Sequence, residues 1–287
     1  MPDAGSEYSA RLGDWSVRSL RSGDFALDGG AMFGSVPRPL WERWIAPDAL
    51  HRIPLALRIL VLEHIPSERL VLVDAGIGDK EDAAFRERFA IRSPPLVEAL
   101  AAAGYDPARV SDIVLTHLHF DHAGGFTRRD PAGGVVPTFP AARHFLQASN
   151  RETALDPHPR ERASYFPENV APLAEVALEL VDGDAEVLPG IRVERSDGHT
   201  IGMQTVRIEG GGRVVRYLAD LAPTHHHVRI PYTMGYDMCA RTLMEEKERL
   251  FAAAREEGAV LLFEHDATVA AATLVEERGK VVARPLP

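Results

Sequence analysis

His117, His119, Asp121 and His122 bring four potential metal ligands into one short run, Thr116-His117-Leu118-His119-Phe120-Asp121-His122-Ala123-Gly124-Gly125. In an extended segment alternate side chains share a face, so His117 and His119 can address one ion. Asp121 and His122 follow as the chain turns and can reach a second ion. Gly124 and Gly125 let the backbone bend tightly behind them. Imidazole and carboxylate without thiolate is the ligand chemistry of Zn, Mn, Fe or Co in a hydrolytic site. Two ions need more ligands than this run supplies, and those should lie in loops that follow strands. His199 follows the apolar stretch Ile191–Arg195, Asp220 follows Val214–Leu218, and His265 follows Val260–Phe263. With the first run they complete two sites that share a carboxylate. Cys239 and the serines have no evident base beside them in sequence, so no side-chain nucleophile is expected.

The elements that must position these residues read as an α/β chain. Residues 1–13 are small and polar, a loose lead-in. Trp15–Leu27 reads as strand, turn, strand. Residues 28–50, rich in Gly, Pro and aromatics, read as a long irregular loop with a short helix, a segment of the kind that often serves function. Strands are expected at Leu55–Glu63, Arg69–Asp74, Ile113–Leu115, Arg143–Gln147, Leu178–Val181, Ile191–Arg195, Thr205–Ile208, Val214–Leu218 and Val260–Phe263. Helical periodicity runs over 81–103 up to Gly104 and again over Leu243–Glu257, while 148–177 is polar, Pro-rich and partly helical. With no clean linker, this order predicts one domain over 1–287, two packed sheets with helices outside.

Composition narrows the function classes. The formal net charge of −10 gives no global pull toward nucleic acid or anionic lipid. No apolar run approaches the roughly 18 residues of a membrane span. One cysteine precludes an intramolecular disulfide, and the first residues show no apolar signal core, so a reducing cytoplasm is expected.

The segment Thr116–Gly125 resembles the HxHxDH signature of the metallo-β-lactamase superfamily, as does the order of His199, Asp220 and His265, and Val73-Asp74-Ala75-Gly76 resembles its strand-end Asp-x-Gly. The resemblance runs from about Gly13 to Ala267. It implies a four-layer αββα sandwich with a two-metal site on its edge. By it His117, His119 and His199 bind one ion, Asp121, His122 and His265 the other, and Asp220 bridges them. Zinc is the first expectation, with Fe, Mn or Co as alternatives. Three stretches, Asp28–Gly34, Arg52–Arg58 and Ala219–Thr224, further resemble the YtnP-type branch of the quorum-quenching N-acyl-homoserine lactonases. The better-known lactonases carry a tyrosine shortly after the bridging Asp, where it helps orient the substrate. Here Pro223 and Thr224 stand there, leaving Tyr232, Tyr236 or one of His225–His227 as substitutes. The resemblance implies opening of a lactone ring by a metal-bridging hydroxide, with Asp121 as the catalytic proton shuttle.

Around this core, Asp74 is the first candidate to orient a ligating imidazole, ahead of Asp197 and Asp266. Glu264 reads as a solvated carboxylate. Met32, Phe33, Trp41, Trp44 and Phe120 are candidates for an apolar substrate wall, although the tryptophans read first as core or dimer contacts. Three adjacent histidines, His225–His227, cannot all face one ion from a regular strand. They read as a surface loop near the mouth, with His227 a candidate substrate contact, as is Tyr236. Phosphotriester or aryl-ester hydrolysis is the first alternative activity. Thioester hydrolysis or a non-catalytic binding role comes next. A nuclease is disfavoured by charge, and a β-lactamase by the missing export signal. A small-molecule substrate is the expected partner, and the aromatic segment leaves a homodimer open.

Overall fold

The computed structural model describes residues 7–287. Its first strands are β1 (Tyr8–Leu12), β2 (Trp15–Asp28), β3 (Arg52–His64), β4 (Arg69–Val73) and β5 (Val110–Val114). A small hairpin, β6 (Thr127–Arg129) with β7 (Val135–Pro137), precedes β8 (Arg143–Gln147) and β9 (Ala177–Val181). The second half holds β10 (Ala185–Leu188), β11 (Ile191–Ser196), β12 (Met203–Gly210), β13 (Arg213–Tyr217), β14 (Val260–Leu262), β15 (Ala271–Glu277) and β16 (Lys280–Pro285). The described residues form two seven-stranded mixed sheets, ordered β1-β2-β3-β4-β5-β8-β9 and β10-β11-β12-β13-β14-β15-β16.

The central strands are apolar on both faces because both are covered. On β4, Val71 and Val73 face Val206, Ile208, Val215 and Tyr217 of the second sheet, and Leu70 and Leu72 face outward. There they meet Leu96 and Leu100 of α4 (Leu96–Ala102). Across the molecule α8 (Ala240–Glu256) covers the second sheet with Leu243, Leu250, Phe251 and Ala254. Helix, sheet, sheet, helix is the expected αββα sandwich. Among the described residues no helix is long and apolar enough to cross a membrane.

Several local expectations are corrected. Residues 1–6 of the expected lead-in lie outside the described residues, but Tyr8–Leu12 is a strand, pairing with β2 in register from Tyr8↔Ser19 to Leu12↔Trp15. Trp15–Leu27 holds no turn. Its central Ser-Gly forms a bulge between Arg21 and Gly23 in one long strand against β3, which absorbs the extra residue without ending the ladder. The helix over 81–103 is two helices, α3 (Ala83–Arg88) and α4, because Pro94 and Pro95 disfavour helix before them. Residues 28–50 contain two short helices, α1 (Gly29–Phe33) and α2 (Arg38–Trp41). The strands β10, β15 and β16 and the β6–β7 hairpin were not expected at all.

Candidate metal centre

Five strand exits converge on one rim: Asp74 follows β4, the His117–His122 run follows β5, His199 follows β11, Asp220 follows β13 and His265 follows β14. The β5 exit turns into the short helix α5 (Phe120–Ala123) and lies directly against the β4 exit. Ala75 N–H donates to His122 O at 2.8 Å and Gly125 N–H to Gly76 O at 3.0 Å. A Cβ on Gly124 would lie 2.1 Å from Ile77 O, and one on Gly125 2.2 Å from Ala75 O, so only glycine permits this approach. Asp74 and Ala219 both hold positive φ, 61° and 45°, a cost concentrated where ligands are aimed.

The structure brings the seven expected ligand residues together, all buried. His117, His119, His199 and Asp220 form one cluster, and Asp121, His122 and His265 a second, each with its ligand atoms within 4.8 Å of one another. Asp220 stands between them. Its Oδ2 is 3.1 Å from His199 Nε2 and 3.5 Å from His122 Nε2, and its Oδ1 is 3.4 Å from His265 Nε2. Asp121 Oδ2 lies 3.6 Å from His265 Nε2.

Ring partners decide what this set can hold. His122 Nδ1 is 3.1 Å from Asp74 Oδ2, His199 Nδ1 is 2.9 Å from Asp237 Oδ1, and His265 Nδ1 is 3.0 Å from Ala56 O. His117 Nδ1 is 3.1 Å from Thr116 Oγ1, whose own proton goes to Asp74 Oδ2 at 2.8 Å. These acceptors assign each proton to Nδ1 and leave Nε2 a lone pair. Yet His122 Nε2 and His265 Nε2 face each other at 3.2 Å, and His199 Nε2 faces His119 Nδ1 at 3.1 Å. His117 Nε2 and Asp220 Oδ1 are buried with no hydrogen-bond partner. Converging lone pairs around a shared carboxylate fit divalent cations, so the donor set suits a two-ion centre.

The electrostatics agree. Burial opposes charge on His199, but Asp220 and Asp237 outweigh it and push the imidazole up to about 10. Burial likewise opposes charge on His122, and Glu264, Asp220 and Asp121 push it well above its ordinary value. Burial raises Asp220, but His199 and His122 hold it well below the carboxylate range. Burial, and then the surrounding imidazoles, keep His117 neutral. The site is a sink for positive charge.

Glu264 is corrected. It is fully buried, not solvated, with Oε2 2.9 Å from His122 Nδ1, and burial pushes its carboxyl well up. Asp237 and Glu161, both close to ligating imidazoles, were not singled out from sequence. Asp266 bonds His225, and Asp197 bonds Arg195 and Gly202 N–H, so neither orients a ligating imidazole. Above the ligands opens a cavity of about 190 Å³ with Leu27, Met32, Phe89, Phe120, Met234 and Tyr236 in its walls and His119, Asp121, His199, Asp220 and His265 at its floor. Phe33 and Trp41 are not in it. They stack on each other at 5.6 Å in a core behind the wall. His227 is buried too, stacked on Phe33 and bonded through Nε2 to Met32 O at 2.9 Å, so it is neither a surface residue nor a lining one.

An αββα frame that gathers buried imidazoles and carboxylates under an open cavity defines a metal-dependent hydrolase. The chain belongs to the metallo-beta-lactamase superfamily, whose family model matches residues 59–265. It is 25% identical over 236 residues to the N-acyl homoserine lactonase AiiA of Bacillus thuringiensis subsp. kurstaki, covering 77% of this chain and 85% of that relative. A probable metal-dependent hydrolase from Staphylococcus aureus superposes with a TM-score of 0.86 at 27% identity, over 97% of this chain and all of that one. AidC, a dizinc quorum-quenching lactonase, shares the fold with a TM-score of 0.77 at 20% identity over 98% of each chain.

Proposed function

We propose that this protein is a dinuclear zinc hydrolase that opens neutral lactone rings, with N-acyl-homoserine lactones the first candidates. One observation carries the substrate class: the cavity has apolar walls above the ligand floor, and among the described residues no Lys or Arg lines it. A carboxylate-bearing β-lactam, a phosphodiester or a glutathione conjugate would find no basic side chain in the walls to hold its charge away from the ligand floor, whereas an uncharged lactone with an acyl chain loses little on desolvation. The curated lactonase relatives support the reading.

Two divalent ions held by the seven ligands would supply Lewis acidity and a hydroxide nucleophile at neutral pH. Asp121 reaches the cavity from the second cluster, so its carboxylate can take a proton and return it to the leaving alcohol. Tyr236 stands in the wall. Burial pushes its phenol up to about 12, so it stays protonated and can donate to the substrate's oxygen in place of the tyrosine missing after Asp220. Tyr232 instead stacks on Trp44 at 5.8 Å. The free cysteine, Cys239, fits a reducing cytoplasm.

The test is elemental analysis run with a hydrolysis panel on one sample: acyl-homoserine lactones of several lengths, an aliphatic lactone, an aryl phosphotriester and a chromogenic β-lactam. Two zinc ions per chain with fastest turnover on the lactones is expected. Faster phosphotriester cleavage would move the substrate to that neutral class, and β-lactam turnover would overturn the argument from charge.

A further inference from the structure

Four of the five ligating imidazoles have an acceptor at the nitrogen that points away from the cluster: Thr116, Asp74, Asp237 and Ala56 O serve His117, His122, His199 and His265. His119 is the fifth. Its Nδ1 faces His199, and its Nε2 is buried with no hydrogen-bond partner. The nearest carboxylate is Glu161, whose Oε2 lies 3.8 Å from that nitrogen, an ion-pair distance just beyond a hydrogen bond. Glu161 is only 6% exposed although it sits in the polar, Pro-rich stretch between β8 and β9.

Glu161 does not stand alone. Its Oε2 accepts from Thr200 Oγ1 at 2.6 Å, Thr200 Oγ1 and Tyr165 O–H are paired at 2.8 Å, and Tyr165 accepts from Asn150 Nδ2 at 3.3 Å. Asn150 then closes the circuit in both directions. Its Oδ1 accepts from Leu118 N–H at 3.0 Å and its Nδ2 donates to Ile201 O at 2.9 Å. One chain of buried polar groups thus grips the residue before His119 and both residues after His199.

The geometry points to Glu161 as a positioning residue for His119, which, through Thr200, Tyr165 and Asn150, fixes the spacing of His119 and His199 and so tunes one of the two ion sites and not the other. The inference rests on the two-ion reading above but not on any substrate. The second cluster is oriented from Asp74, Glu264 and Ala56 and shares no partner with this chain of groups. Outer partners of ligating histidines typically carry about 10–100-fold in metal affinity.

Glu161→Gln is nearly isosteric. Its carbonyl can still accept from Thr200, but it offers His119 no charge. Full-length wild type and variant, stripped of metal, are titrated with Zn(II) against a chromogenic chelator, and with Co(II) while the d–d absorption is followed. Wild type should take two ions. The variant should keep one at wild-type affinity and bind the other about 10–100-fold more weakly, with an altered Co(II) spectrum for that ion alone. The midpoint of unfolding of the metal-free protein should not move. Tyr165→Phe, one link further away, should weaken the same ion by less, and it serves if the first variant does not fold. Wild-type affinities at both sites in the two variants would overturn the inference, as would equal weakening at both with a lowered unfolding midpoint. A wild type that takes up no second ion would overturn the two-ion reading and this inference with it.

Discussion

The two halves of the metal centre are built differently. His122 and His265 are held from the sheets: Asp74 leaves β4, Ala56 lies within β3, and Glu264 immediately precedes His265. His119 and His199 are held from excursions: Glu161 from the stretch between β8 and β9, and Asp237 from the segment before α8. These excursions are themselves tied down. Glu246 of α8 accepts from Asp197 N–H at 2.7 Å and Ser196 Oγ at 2.6 Å, and Arg160 donates to Gly235 O at 2.5 Å. One half takes its geometry from the core; the other takes only His117 from the core, through Thr116 and Asp74, and has His119 and His199 set by a polar scaffold laid over it. A core-held ligand should fail together with the fold, and a scaffold-held one should fail locally.

The sharpest challenge to that division comes from residues 28–50, an excursion that packs as core. Phe33 is fully buried between Trp41 and His227, with ring centroids at 5.6 and 5.1 Å. Phe33→Ala should cost about 3–5 kcal/mol of stability, because the rigid rings around it cannot collapse into the gap. Denaturant unfolding reads the loss, and KM for every acyl length should stay near wild type. A small stability change with a large shift in KM would return Phe33 to the substrate wall.

The orienting carboxylates test the division directly. Asp74 Oδ1 accepts from Thr116 N–H at 2.7 Å, so Asp74 serves the β5 exit as well as His122. Asp74→Asn should lower the stability of the metal-free protein by about 1–3 kcal/mol, since an amide whose oxygen accepts from Thr116 Oγ1 and His122 turns its NH2 against the buried Thr116 N–H. Asp237→Asn also gives up one acceptor, for His199 or for Met234 N–H, but in a turn outside the sheets, so it should cost the metal-free protein less than Asp74→Asn while weakening one ion about 10–100-fold. Calorimetry of the stripped proteins, paired with chelator competition, separates the two. Equal destabilisation would erase the difference between the halves.

This contrast also explains what could be read from the sequence. The seven ligands stand where apolar strands end, so residue type and the strand signal coincide. Asp74 is visible for the same reason. Glu264 has the same position, but a carboxylate beside His265 gives no sign that the fold buries it completely against His122. Asp237 and Glu161 carry no local signal, because their roles exist only once distant segments fold onto the rim. The same holds for Phe33, whose burial depends on His227, far along the chain. Pro94 and Pro95 did mark the break between α3 and α4, but periodicity over 81–103 outweighed them, and the bulge at Ser22–Gly23 read as a turn because both motifs favour the same residues.

The smallest expected effect falls on the scaffold-held side of the cavity. Tyr236 adjoins Asp237, so the turn that orients His199 also presents the phenol. Gly235 N–H donates to Ala31 O at 2.7 Å, and Met234 N–H to Asp237 Oδ2 at 2.6 Å, which fixes that turn at both ends. Tyr236→Phe keeps the ring in the wall and removes one donor. It should lower kcat/KM for a lactone about fivefold, close to 1 kcal/mol for a hydrogen bond made in exchange with water, and leave both ion affinities unchanged. If the loss falls in kcat, the phenol acts on developing charge; if it falls in KM, the phenol holds the ground state. An unchanged kcat/KM would leave the wall apolar in function as well as in composition, and lactone recognition would then rest on the floor of the cavity alone.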